Sequence, residues 1–189
     1  IARRGGSGLS SSTRGVFGGG IQPTALGGLE FITIASQGNA IDYGELANTN
    51  NKGCDSTSNS VRGIVAGGAP AQNIIQQFNI ATGGNTTDFG DLLASVNDSA
   101  LNSGSHGGLN DGYQGTRPTH IQGSGRGIFA GGRTPSFLSS METVVIATQG
   151  NGNDFGNLAA TTRDVANASS STRALTAGGY VSDYTDTIE

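Results

Sequence analysis

The side chains best suited to chemistry at neutral pH gather in one stretch of this sequence. Both histidines, His106 and His120, lie within residues 99–125, and Tyr113 and Arg117 stand between them. Two imidazoles beside a carboxylate could bind a metal, but a spacing of fourteen residues matches no recognised ligand pattern. We therefore predict no metal and no cofactor. We name these four side chains as candidates for contacting a sugar or a neighbouring subunit, and the simpler alternative is a solvated polar loop.

The other reactive residues favour a protein that is not an enzyme. Cys54 is the only cysteine, so the chain has neither an internal disulfide nor a thiolate cluster for zinc. The glycine-rich segments are not followed by Lys-Ser or Lys-Thr, which excludes a phosphate-binding loop. No serine has the Gly-x-Ser-x-Gly context of a hydrolase nucleophile with Asp and His following in order. We predict no catalytic residues.

A short motif that recurs four times organises the chain. It reads Arg, a small residue, two mostly apolar residues, a small residue and Gly-Gly, and its copies begin at Arg14, Arg62, Arg126 and Arg173. These arginines are 48, 64 and 47 residues apart. A period near 48 lies in the range of propellers and solenoids. We therefore treat residues 1–189 as one domain of repeats that begin near these arginines, and residues 1–12 as the tail of an earlier repeat.

Two further landmarks follow the arginine motif in three copies. An apolar run leads to Gly-Asn and then to Asp-aromatic-Gly, with the aspartates at Asp42, Asp88 and Asp154. Runs that are apolar on both faces and bounded by glycine predict strands buried in a stack of sheets, and we expect each Asp-aromatic-Gly to form a tight turn. No segment has a sustained helical period. The sequence thus predicts an all-β fold with about three or four short strands in each repeat.

One repeat is longer than the others. About eighteen extra residues fall within residues 99–125, the stretch that contains both histidines. Insertions in repeat proteins map to loops on one face, which is often the binding face. We therefore expect any partner-binding loop to lie here.

The recurring arginines have two interpretations. They could form a ring of guanidinium groups for anionic glycans, or each could pair with a carboxylate or with main-chain carbonyls of the adjoining repeat. A residue that recurs in every unit more often serves the unit, which favours the second interpretation. The recurring aspartates could be partners of these arginines.

The overall composition limits the partners of this chain. The net charge is −4 and no basic block is present, whereas binding to nucleic acid requires clustered Lys and Arg. No apolar run reaches the roughly 18 residues needed to span a bilayer. We predict no nucleic-acid partner and no membrane span, and we expect a homo-oligomer.

The repeats resemble those of the kelch family, in which Gly-Gly closes one strand of a propeller blade and an aromatic residue marks a later strand. Phe or Tyr stands here where that family usually has Trp. Two sequence motifs resemble repeats in structural proteins of tailed bacteriophages, especially those of marine cyanobacteria. They are Ser-Ser-Thr-Arg-Gly-Val-Phe-Gly-Gly-Gly and Gly-Asn…Asp-Phe-Gly-Asp-Leu. The resemblance covers nearly the whole chain except residues 99–125.

This resemblance implies a kelch-like β-propeller that is incomplete or closed by another chain. It also implies a structural protein of the virion, in a tail fibre, a tail tip or a capsid decoration, with other virion proteins and a host-surface glycan as partners. Two alternatives remain. One is a carbohydrate-binding propeller module of a secreted or surface protein. The other is a fragment resembling galactose oxidase, which needs a copper site of Tyr, His and Cys.

Overall fold

The computed structural model describes residues 2–49, 52–103, 125–169 and 173–189 of the chain. These residues form fifteen β-strands, and no helix is found among them. Within the same ranges no helix is long and apolar enough to cross a membrane. The prediction of an all-β fold is confirmed.

Each of the first two repeats forms one antiparallel four-stranded sheet in which consecutive strands are neighbours. Sheet A consists of β1 (Arg4–Ser10), β2 (Arg14–Ile21), β3 (Gly28–Thr33) and β4 (Ile41–Glu45). Sheet B consists of β5 (Asp55–Ser58), β6 (Arg62–Ala66), β7 (Gln72–Asn79) and β8 (Thr87–Val96). The apolar runs occupy the third strand of each sheet, where both neighbouring strands can bond to them.

The third repeat forms sheet C in the same strand order, and the fourth forms a smaller sheet D. Sheet C consists of β9 (Ala100–Ser103), β10 (Arg126–Ala130), β12 (Ser136–Val145) and β13 (Asn153–Thr162), with the short β11 (Arg133–Thr134) paired to the start of β12. Sheet D consists of β14 (Ala166–Ser169) and β15 (Ala174–Ala177). Beyond them, the amide and carbonyl of Glu189 bond to Thr176 of β15, as a third strand would.

Each sheet begins one strand before its arginine, so a repeat counted from one arginine ends with the first strand of the next sheet. The arginine motif is the second strand, and β1 pairs with it from Arg4 to Ser10. Residues Arg4–Ser10 therefore form the first strand of sheet A. The extra residues of the third repeat fall between its first and second strands, β9 and β10.

The Asp-aromatic-Gly motif forms a β-bulge, and the expected tight turn was wrong. In sheet A, Glu30 pairs with Asp42 and Leu29 pairs with Gly44, so Tyr43 is an extra residue on its strand. The same shift places Phe89 in the bulge of β8 and Phe155 in that of β13. An unpaired residue in a bulge bends its strand and redirects its side chain. Asp42, Asp88 and Asp154 consequently lie within strands.

Sheets A, B and C stack face to face, and their cores lie between them. One cluster joins sheet A to one face of sheet B; its members are Val16, Leu29, Tyr43, Leu46, Cys54, Val65, Phe78 and Ile80. A second cluster joins the other face of sheet B to sheet C; its members include Ile64, Ile75, Phe89, Leu92, Phe129, Val144 and Ile146. Successive residues of a strand point to opposite faces, so Ile64 and Val65 serve different cores.

The bulge glycines give a test of this stacking. A methyl group at Gly90 would lie 2.5 Å from the carbonyl oxygen of Gly150 in sheet C, whereas one at Gly156 would meet nothing nearer than 3.8 Å. Both glycines have a positive φ, +150° and +126°. We expect Gly90→Ala to destabilise the fold by about 2 kcal/mol more than Gly156→Ala, since only the former forces two sheets apart.

Urea unfolding of both variants measures that difference. Gly156→Ala is the matched control because it carries the backbone cost of a positive φ without the steric clash. Equal losses in the two variants would show that sheets B and C do not approach as closely as this arrangement requires.

Candidate assembly interface

A line of main-chain hydrogen bonds connects all four sheets just before or at the start of their first strands. The amide of Gly53 donates to the carbonyl of Gly5 (2.9 Å), that of Asp98 to Gly53 (3.0 Å) and that of Asp164 to Asp98 (3.0 Å). All four residues have a left-handed backbone, with φ between +52° and +66°. Asp is one of the few side chains that tolerate this conformation. We call these bonds the inter-repeat ladder.

A second set of bonds joins the outer strands to the next repeat. The amides of Gly84 and Thr86 donate to the carbonyls of Tyr43 and Glu45, both at 2.9 Å. The side-chain oxygen of Asn85 accepts the amide of Glu45 at 3.0 Å. The Gly-Asn signal of the sequence therefore docks one repeat on the preceding one.

The same docking occurs between sheets B and C. Gly150 donates to the carbonyl of Phe89 (3.1 Å), Gly152 donates to that of Asp91 (2.7 Å), and the Asn151 side chain accepts the amide of Asp91 (3.1 Å). Gly150-Asn151 is thus the structural equivalent of Gly84-Asn85. The later Gly152-Asn153 resembles Gly84-Asn85 in sequence but does not occupy the equivalent position.

The recurring arginines Arg14 and Arg62 brace consecutive sheets. Arg14 donates from Nη1 to the carbonyls of Ile80 (3.0 Å) and Ala81 (2.7 Å), 66 and 67 residues away and directly after β7 of sheet B. Its guanidinium carbon also lies 4.6 Å from the ring centre of Phe31. A charged donor satisfies carbonyls at a strand end more strongly than a neutral one.

Sheet C receives the same brace from sheet B. Arg62 donates to the carbonyl of Ile146 at 2.8 Å, and its guanidinium lies 5.9 Å from the ring centre of Phe89. Arg126 and Arg173 are exposed. In the part of the chain that the structure describes, no hydrogen bond joins Arg126 to a following repeat.

A Glu or Gln that recurs at one position of the third strand makes another contact between sheets. Glu142 accepts the amide of Leu93 (2.8 Å) and Glu189 accepts that of Ala159 (2.8 Å), each from the preceding repeat. Gln76, at the same level of sheet B, accepts the amide of Asn48 (3.1 Å). Burial raises the pKa of Glu142, while the amides of Leu93 and Ala94 lower it. These residues were not among those predicted from the sequence, although in three repeats a Glu or Gln stands four positions before the Ile that ends the apolar run.

Two ionisable side chains lie where the first strands of sheets A, B and C meet. Burial raises the pKa of the Cys54 thiol to about 11. Burial also raises the pKa of Asp55 to about 7; a hydrogen bond with Ser99 lowers it and the charge of Asp98 raises it further. The Oδ2 atom of Asp55 is buried, and the described residues provide it with no hydrogen-bond partner. Asp55 is therefore a buried carboxyl group with incomplete hydrogen bonding at this junction.

The sheet faces at the two ends of the series are exposed, whereas the equivalent faces of the inner sheets are buried. Phe17 is 44% exposed, whereas Val65 and Phe129, three residues after their own arginines, are buried against the preceding sheet. At the other end, Leu175 is 50% exposed, whereas its equivalents Val16 and Ile64 are buried. Phe155 in its bulge is also half exposed, unlike the buried Tyr43 and Phe89. These faces are apolar because their equivalents elsewhere form cores.

The predicted binding residues His106, Tyr113, Arg117 and His120 lie outside the described residues. Among the residues that are described, no group of three or more His, Cys, Asp or Glu side chains could hold a metal ion. The arrangement within those ranges is one of repeated structural contacts between sheets.

Comparison with known protein families found no family that matches this chain. A search of curated proteins likewise found no match.

The arginine brace can be tested by comparing two equivalent positions. We expect Arg62→Ala to lower the free energy of unfolding by about 2 kcal/mol, because it removes a charged hydrogen bond to Ile146. Arg126→Ala removes an exposed arginine from the same position of the next repeat, and we expect a change within about 0.5 kcal/mol. Denaturant unfolding measures both values. Similar losses in the two variants would contradict a brace between sheets.

Asp55 predicts a pH dependence of stability. With a folded pKa near 7 and an unfolded value near about 3.9, folded Asp55 keeps a proton that the unfolded chain releases between these values. Its contribution to stability is therefore present at low pH and is lost as the pH rises from about 4 to about 7. Asn resembles the protonated acid, so we expect Asp55→Asn to gain stability over the wild type across that window.

Urea titrations at several pH values measure this gain. The control is Asp42→Asn, which removes an exposed carboxylate from β4. A difference between Asp55→Asn and the wild type that stays constant with pH would contradict the raised pKa.

Proposed function

We propose that this chain is a non-enzymatic structural protein whose stacked sheets form part of a larger assembly. One observation carries the proposal: sheets A and B are joined by the same ladder, docking turn and arginine brace as sheets B and C. Among the recurring residues, Arg14, Arg62, Asn85 and Asn151 thus serve contacts between repeats. Such a surface extends by adding further units of the same kind.

We also propose that the sheets are blades of a kelch-like β-propeller. The four-stranded antiparallel order of sheets A, B and C and the period near 48 support this. The first strands of consecutive sheets lie against each other, β1 beside β5, β5 beside β9 and β9 beside β14, as inner strands around an axis would. The described sheets form an open series, so closure would need repeats from outside this chain.

The resemblance of the repeats to those of tailed phages supports a virion location. In that setting the chain would belong to a tail fibre, a tail tip or a capsid decoration, and it would contact other virion proteins. The candidate residues in the third repeat, between β9 and β10, would face a host-surface glycan.

Mass spectrometry of purified particles tests the virion proposal. Virus-sized particles from the material that encodes this chain are separated from free protein on a density gradient, and the tryptic peptides of each fraction are identified. We expect peptides of this chain to peak with particles that contain DNA. Peptides found only in the free-protein or cell-envelope fractions would overturn the virion proposal and favour a carbohydrate-binding surface module.

A further inference from the structure

We propose that copies of this chain associate head to tail, with the open face of sheet A of one copy stacked on sheet D of the next. This inference rests on the proposed structural role and names its partner, a second copy. Each group that this contact would use has an equivalent that makes the same contact between two sheets within the chain.

The apolar part of the contact would join Phe17 of one copy to Leu175 of the next. Within the chain, the side chain two positions after each arginine faces the following sheet, as Val16 does in the core between sheets A and B. The side chain three positions after the arginine faces the preceding sheet, as Val65 does in the same core. Leu175 and Phe17 are the members of these two series that are about half exposed.

The polar part would continue the inter-repeat ladder. Within the chain the ladder runs from Gly5 to Asp164, so its terminal groups are the amide of Gly5 and the carbonyl of Asp164. Stacking a second copy places an amide of Gly5 opposite a carbonyl of Asp164, which repeats the pairing of Gly53 with Gly5. The backbone of both residues already has the left-handed conformation that the ladder uses.

A hydroxyl contact would accompany the ladder. The Ser58 hydroxyl donates to the carbonyl of Ser10 at 2.7 Å between sheets B and A. Strand register makes Ser10, Ser58 and Ser169 equivalent, since each pairs with the residue that follows its repeat's arginine. Ser10 of one copy would therefore donate to the carbonyl of Ser169 in the next.

This contact uses two different faces, and that property sets the form of the assembly. A heterologous contact leaves one face of each type open after every addition, so it produces a closed ring or an open filament, not a dimer related by a two-fold axis. The mass of the assembly should therefore rise with protein concentration until closure.

Two single variants and their mixture test the inference. We expect wild-type protein to show increasing mass in sedimentation velocity from the micromolar to the millimolar range. Phe17→Asp and Leu175→Asp, each at an exposed position, should both be monomeric when alone. Their mixture should form a one-to-one dimer, because the first variant keeps an intact sheet D and the second keeps an intact sheet A.

A control variant and a second measurement complete the test. Leu93→Asp changes an apolar side chain that is 62% exposed on β8, away from both end faces, and it should associate as the wild type does. In oxidised mixtures of Phe17→Cys with Leu175→Cys, disulfide dimers should join the two unlike variants. Cys54 is buried and should not compete.

Several results would overturn the inference. Wild-type protein that is monomeric at every concentration would do so, as would single variants that associate like the wild type or a mixture that stays monomeric. Failure of the virion proposal is separable from these results. A chain that associates but is absent from particles contradicts only that proposal, and a monomeric chain found in particles contradicts only head-to-tail association.

Discussion

Each inner sheet of this protein has apolar side chains on both faces, and the need to cover both determines the rest of the structure. Ile64 and Ile75 of sheet B pack towards sheet C, while Val65 and Phe78 pack towards sheet A. Burial of apolar surface contributes about 25 cal/mol per Å², so a lone sheet of this kind would leave much of its stabilisation unrealised. Stacking supplies the missing cover, and it leaves one uncovered face at each end of the series.

Stacking brings main chain against main chain, which explains the high glycine content better than turns alone do. The ladder and the docking turns both pair amides of one repeat with carbonyls of another. These contacts need a permissive backbone or close approach, as at Gly53 and Gly90. Side chains then add to the main-chain contacts, with Arg14 and Arg62 capping strand ends. The recurring residues thus act on neighbouring repeats, which is the physical basis for proposing a structural role.

Polar groups at the interface are not all equally well paired. Arg62 and Glu142 each bond to main chain across the same pair of sheets. Asp55 is different, because burial disfavours its charged form and one of its oxygens has no partner among the described residues. The junction of the first strands is therefore one part of the stack where stability depends on protonation, and the buried Glu142 is another.

The sequence by itself determined the strand content and the four repeats, because alternation along a strand and glycine at a strand exit are local properties. The sequence placed the arginine motif on a strand, but it did not show that this strand is the second of the four in its sheet. Only the tertiary structure decided that Asp-aromatic-Gly is a bulge, that Gly-Asn docks on the preceding sheet and that Arg14 reaches Ile80. The docking and the arginine contact depend on partners 40 and 66 residues away, and the bulge depends on the register with the neighbouring strand. No local pattern records such a partner, since it is selected by which faces of two sheets come together.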